Sequence, residues 1–128
     1  MIYLDSSVAL AHLFREPRRP ADQFWSQPLV SSKLLEYEVW NRVHAYQLTG
    51  SHSNEARLLL TRVVLIELDE AVLSRALEPF PIRVRTLDAL HLATIDFTSA
   101  KSEPIELASY DNRLLAAARA LGISIAAL

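Results

Sequence analysis

The chain has 128 residues, 51% hydrophobic and 22% charged, with two Gly, no Cys and a net charge of −2 from 13 basic and 15 acidic residues. That length suits one ordinary domain over residues 1–128, with enough apolar material for a core and no compositional case for disorder. Disulfides, thiolate zinc sites and cysteine nucleophiles are excluded, bulk charge alone gives no argument for a nucleic-acid partner, and the lack of a bilayer-length apolar run or signal-peptide start makes a cytoplasmic protein the expectation.

Ile2 to Leu4 is a short apolar run that stops at Asp5-Ser6-Ser7. Val8, Leu10, Ala11 and Phe14 then recur at helical spacing, so a buried strand feeds directly into a helix. Arg15 to Pro20 breaks that helix with two prolines and four charges, before a short segment around Phe24 and Trp25. Leu29-Val30 is a second strand candidate. Ser31-Ser32 offers N-caps for a helix to about Leu48, with Leu35, Val39, Val43 and Tyr46 as its apolar stripe and Thr49-Gly50 as its stop. Ser53 to Thr61 reads as another helix. Val63 to Ile66 is a continuous apolar run, which predicts a strand buried on both faces.

Asp69 opens a helix ending before Pro79, and Pro79-Phe80-Pro81 is a rigid turn. Thr86 caps a nearly all-apolar helix from Leu87 to about Phe97. Ile105 to Ala108 is the next strand, Asp111 caps a helix ending at Gly122, and Ile123 to Ile125 is the last strand. Strands alternating with helices, without hairpin signals, predict an α/β fold: a central, mostly parallel sheet flanked by helices. In such sheets ligands sit beyond the carboxyl ends of the strands.

Asp5 and Asp111 both follow strands and therefore fall at that edge. Asp88 lies in the first turn of its helix yet shares a face with Leu92 and Ile95, where an acid needs an explanation. Glu36 and Glu38 flank opposite sides of the stripe of their helix, and periodicity does not choose between them. Convergence of Asp5, Asp88, Asp111 and one glutamate raises their pKa values or demands a cation. An all-oxygen site favours Mg²⁺ or Mn²⁺, the ions of metal-assisted phosphoryl chemistry. Taken singly, each acid also has a plainer reading. Asp5 and Asp111 read as helix caps, Asp88 as a complement to its helix dipole, and Glu38 with Arg42 as an ordinary i,i+4 pair.

Three stretches carry a family resemblance. MIYLDSSVALAHL at the start, SSKLLEYEVWNRV from Ser31 and above all RVRTLDALHLAT from Arg83 resemble the PIN-domain ribonucleases, and within them the VapC toxins of toxin–antitoxin modules. SYDNRLLAAARALG from Ser109 is similar to the family's last acid and following helix. The resemblance spans essentially the whole chain. It implies a PIN-like three-layer fold and carries the family's four acids onto Asp5, Glu38, Asp88 and Asp111, selecting Glu38 over Glu36. It also implies Mg²⁺- or Mn²⁺-dependent endoribonuclease activity, an RNA substrate, a homodimer and a cognate antitoxin.

Around this set, Ser6 and Ser7 read equally as helix caps and as hydrogen-bonding groups for a cation's water or a phosphate. Ser109 reads as a positioner of Asp111 or as a turn hydroxyl. His91 is expected to be a hydrogen-bonded core residue, and Asp96 a polar residue at a helix end. Of the 13 basic residues only Lys33 and Lys101 are lysines. Arg15, Arg18, Arg19, Arg83 and Arg85 lie in loops, solvated or holding RNA phosphates or acidic partner residues. The rival readings are a non-catalytic RNA- or protein-binding PIN fold and a phosphotransfer domain with an acceptor Asp, the latter disfavoured by Ser6-Ser7 after Asp5 and by the scarcity of lysine.

Overall fold

The computed structural model describes residues 1–128. In chain order the elements are β1 (Ile2–Leu4), α1 (Ser6–Leu13), a 3-10 turn (Asp22–Ser26), β2 (Leu29–Ser32), α2 (Leu34–Ala45), α3 (Thr49–Thr61) and β3 (Val63–Ile66). There follow α4 (Glu70–Ala76), α5 (Thr86–Lys101), β4 (Glu106–Ala108), α6 (Asn112–Ala120) and β5 (Ser124–Ile125).

The five strands form one sheet in the order β3-β2-β1-β4-β5, and every pairing is parallel. Ile2 lies opposite Leu29 of β2 on one side and Glu106 of β4 on the other, so β1 is central. From β1 the chain winds outward through β2 and β3, then crosses back to build β4 and β5. The winding therefore reverses between β1 and β4, where an open parallel sheet leaves a crevice beyond its carboxyl ends.

Period-2 alternation in β1 sorts the core into two layers. Ile2 and Leu4 pack with Val8 and Leu13 of α1, Leu35, Val39 and Val43 of α2, and Ala56 and Leu59 of α3. Tyr3, pointing to the other face, packs with Val30, Leu107, Leu92 and Ile95 of α5, and Leu114 and Ala118 of α6. Helices, sheet and helices make the expected three layers. Short α4 lies along α5, its first turn capped by Asp69, whose carboxylate accepts from the Val72 amide at 3.0 Å. No helix is long and apolar enough to cross a membrane.

Several expectations are corrected. β3 is an edge strand, and Val64 is 65% exposed, so the apolar run of Val63 to Ile66 reports strand propensity and not burial on both faces. Helix α2 stops at Ala45, and Thr49-Gly50 begins α3 instead of ending α2. The break is made by Gln47 in the left-handed region, at φ 57°. Tyr46 falls beyond the helix and is 55% exposed, outside the core stripe. Ser31 and Ser32 end β2, with the Ser32 hydroxyl still accepting from the Leu34 amide at 3.1 Å. Thr86 is the first residue of α5 and not its cap. The cap position belongs to Arg85, which makes no side-chain capping bond.

Candidate active site

Asp5 leaves β1 with extended backbone and caps α1. Its own amide continues the β1–β4 ladder by donating to the Ala108 carbonyl at 3.0 Å. The side chain is 5% exposed, a costly place for a carboxylate unless hydrogen bonds compensate. Oδ2 takes three: from the Ser7 amide at 3.3 Å, the Ser7 hydroxyl at 2.5 Å and the Ser109 hydroxyl at 2.8 Å. The positive end of α1 adds to them.

Both hydroxyls are themselves fixed by backbone donors. The Tyr110 amide donates to Ser7 Oγ and the Asp111 amide to Ser109 Oγ, each at 2.9 Å. Two short relays thus run from the β4–α6 loop through a serine into Asp5, and they hold the loop carrying Asp111 against the loop carrying Asp5. Asp111 is exposed and caps α6, its Oδ1 accepting from the Arg113 amide at 2.9 Å.

Glu38 projects from the flank of α2, whose other side is pinned in the core by Leu35, Val39 and Val43. Its Oε1 lies 2.7 Å from His91 Nε2 on α5, and its Oε2 accepts from the Ser6 hydroxyl at 3.3 Å. His91 is 1% exposed and packs edge-on against Tyr3, with Nδ1 2.7 Å from the phenolic oxygen. That oxygen also accepts from the Ser32 amide at 3.0 Å. A buried chain Tyr3–His91–Glu38 therefore links the sheet's core to the carboxyl edge. Burial opposes charge on the imidazole, but the hydrogen bond to Glu38 and the charges of Glu38, Asp5 and Asp88 outweigh it, raising the His91 pKa above 6.5.

The carboxylate of Asp88, half-buried at the head of α5, makes no hydrogen bond within the protein. Burial first, and then the charges of Asp111 and Asp5, raise its pKa above the ordinary 3.8, against smaller opposing effects of His91 and Arg85. Asp88 thus senses both Asp111 and Asp5, and His91 ties Glu38 to the same field.

As they stand, no three His, Asp or Glu side chains are close enough to grip one ion together. The acids form an open edge and not a closed cage. The donors nonetheless suit a hard divalent cation: all are oxygens, and Asp5 Oδ1, Asp111 Oδ2 and both oxygens of Asp88 lack a protein partner. The raised pKa of Asp88, due first to burial and then to the charges of Asp111 and Asp5, is of a kind that a bound cation would oppose.

Glu36 turns away to pair with Lys33 at 3.4 Å, and Asp96, further along α5, pairs with Arg75 of α4 at 3.1 Å. Neither shares the acidic edge. The direct contact of His91 with Glu38 was missed in the sequence, because no periodicity relates residues 53 apart.

Residues 2–120 match the PIN domain family. Over 130 residues the chain is 35% identical to Ribonuclease VapC46 of Mycobacterium tuberculosis (strain ATCC 25618 / H37Rv), covering 98% of this chain and 96% of that one. It is 31% identical to Ribonuclease VapC47 of Mycobacterium tuberculosis (strain CDC 1551 / Oshkosh), over 95% of this chain and 93% of that protein. Among solved structures, a toxin-antitoxin complex from Klebsiella pneumoniae superposes with a TM-score of 0.67 at 18% identity, over 94% of each chain. That likeness speaks to the fold.

Proposed function

The chain belongs to the PIN domain family, with VapC ribonucleases as near-full-length relatives, and on that premise we propose that it is a VapC-like toxin, an endoribonuclease that hydrolyses RNA phosphodiester bonds. The observation that supports this most directly is that Asp5, Glu38, Asp88 and Asp111 lie around the switch point of the sheet, with Asp88 perturbed first by burial and then by its acidic neighbours. These four residues would hold Mg²⁺ or Mn²⁺. A divalent cation there supplies the charge neutralisation and water activation that phosphodiester hydrolysis requires.

The remaining residues keep the carboxylates in place. Ser7 and Ser109 fix one oxygen of buried Asp5 and leave the other unengaged. Ser6 and His91 clamp Glu38 between α1 and α5. Asp5 and Asp111 cap the amino ends of α1 and α6, where the helix dipoles are positive. The same reading includes a cognate antitoxin that neutralises the enzyme, a homodimer and a cytoplasmic location.

The test is cleavage of total RNA by the purified protein with Mg²⁺, Mn²⁺ or EDTA, beside Asp88→Asn prepared identically. Discrete fragments that require the metal and vanish in the variant support the reading. RNA left intact by the wild-type protein, or cut equally by both, overturns it.

A further inference from the structure

Because Glu38 is engaged by His91 and Ser6, the i,i+4 pair with Arg42 does not form. Arg42 is exposed and has no ion pair. It lines a cavity of about 420 Å³ together with Ser7, Arg18, Tyr46, Tyr110 and Glu16, within the size range of small-ligand pockets. Glu16, the only acid there, pairs with neither arginine. Ser7, which also lines this cavity, has its hydroxyl bound to Asp5. The cavity therefore opens beside the acidic edge.

Its walls combine cations with aromatic faces. The Arg18 guanidinium lies 4.5 Å from the centre of the Tyr110 ring, and that of Arg42 lies 5.7 Å from the Tyr46 ring. Phe14 backs Tyr46 with ring centres 5.5 Å apart, and the Tyr110 backbone is tied to Ser7. At Asp88 a second cavity, of about 460 Å³, is lined by Arg83, Arg85 and Arg113. The acidic edge thus borders two arginine-lined hollows, one reaching it at Ser7 and the other at Asp88, and only the first offers aromatic faces.

We propose that these hollows form one track for a single RNA strand, with the Arg18–Arg42–Tyr46–Tyr110 cavity seating an unpaired nucleotide next to the scissile phosphate. The inference rests on the ribonuclease reading and adds to it where the strand lies and why it must be unpaired there. Guanidinium groups meet phosphates, and a base stacks on an aromatic ring or a guanidinium plane only when it has left a duplex. An acidic protein segment also satisfies arginines, but it gives no reason for two aromatic rings in a cavity that Ser7 joins to Asp5.

The test uses the purified full chain in EDTA and a fluorescein-labelled 12-nucleotide mixed-sequence single-stranded RNA, with the matching duplex as control. Arg42→Gln and Tyr46→Ala alter exposed side chains, and circular dichroism checks that both fold. Each is expected to weaken single-strand binding about tenfold, with Arg42→Gln also lowering the salt dependence by the equivalent of about one phosphate contact. Arg113→Gln is expected to show the same salt effect without altering the preference for unpaired RNA. Unchanged affinity in Arg42→Gln and Tyr46→Ala, or equal binding of the duplex by the wild-type protein, overturns the inference. Loss confined to binding of an acidic peptide does the same. If the wild-type chain cleaves RNA while these variants bind as it does, the track falls and the nuclease reading stands. RNA bound through these residues but never cleaved leaves the track and removes the nuclease.

Discussion

His91 Nε2 and Glu38 Oε1 lie 2.7 Å apart across 53 residues of sequence, one on α5 and one on α2. The two helices belong to opposite layers, so this bond crosses the end of the sheet. Removing the imidazole leaves Glu38 with only the Ser6 hydroxyl and the Tyr3 oxygen without its ring partner. His91→Ala is expected to cost about 1–3 kcal/mol in urea unfolding. By isothermal titration it should weaken Mn²⁺ binding by at least about tenfold, as loss of a group that orients a ligand does. His91→Gln should recover part of the Mn²⁺ affinity.

Asp88 gives a pH dependence of unusual sign. Its pKa is raised in the folded protein, so between 3.8 and that higher value the native state holds more protons than the unfolded chain. Stability from this residue is therefore present at low pH and is lost as pH rises through the raised pKa. In EDTA at pH 7, Asp88→Asn is expected to melt higher than the wild-type protein, with the difference vanishing below pH 4. Mn²⁺ should raise the melting temperature of the wild type more than that of the variant.

The two serine relays should be separable from the helix cap. Ser109 is buried and donates to Asp5 while accepting from the Asp111 amide, so Ser109→Ala leaves both partners short of a bond. The expected loss is about 1–3 kcal/mol in urea unfolding, together with reduced RNA cleavage. Ser109→Thr, which keeps the hydroxyl, should lose less of both.

Asp96 provides the control on the same helix as Asp88. Eight residues of helix put it about 12 Å further along the axis, where its partner is Arg75. Asp96→Asn is expected to leave RNA cleavage unchanged and to cost less than about 1 kcal/mol, as partly exposed pairs do. Cleavage lost in Asp96→Asn would move the acidic edge down α5.

Legibility in the sequence follows the range of each interaction. Strand, acid and helix at Met1 to Leu13 were readable because the change from apolar run to helical spacing is local. The same holds for Asp69 and Asp111 as caps. Val64 was misjudged, because whether a strand is central or at the edge depends on the order of the whole sheet. Gly50 was misjudged for another reason: Gln47 adopts the left-handed turn that a glycine was expected to supply. The choice of Glu38 over Glu36 came from family resemblance. Its physical counterpart, engagement by Ser6 and His91, is a long-range contact that periodicity does not encode.

The amide of Asp5, bonded to the Ala108 carbonyl, gives this acid a status the others lack. Its main chain belongs to the central strand pair, the part of a parallel sheet that opens only when the whole protein does. Hydrogen exchange at that amide should match the slowest amides of β1, while the head of α6, beside exposed Asp111, exchanges through local fraying. On heating, the reaction centre is then lost from its periphery inward, with Asp5 the last of the four to leave its place.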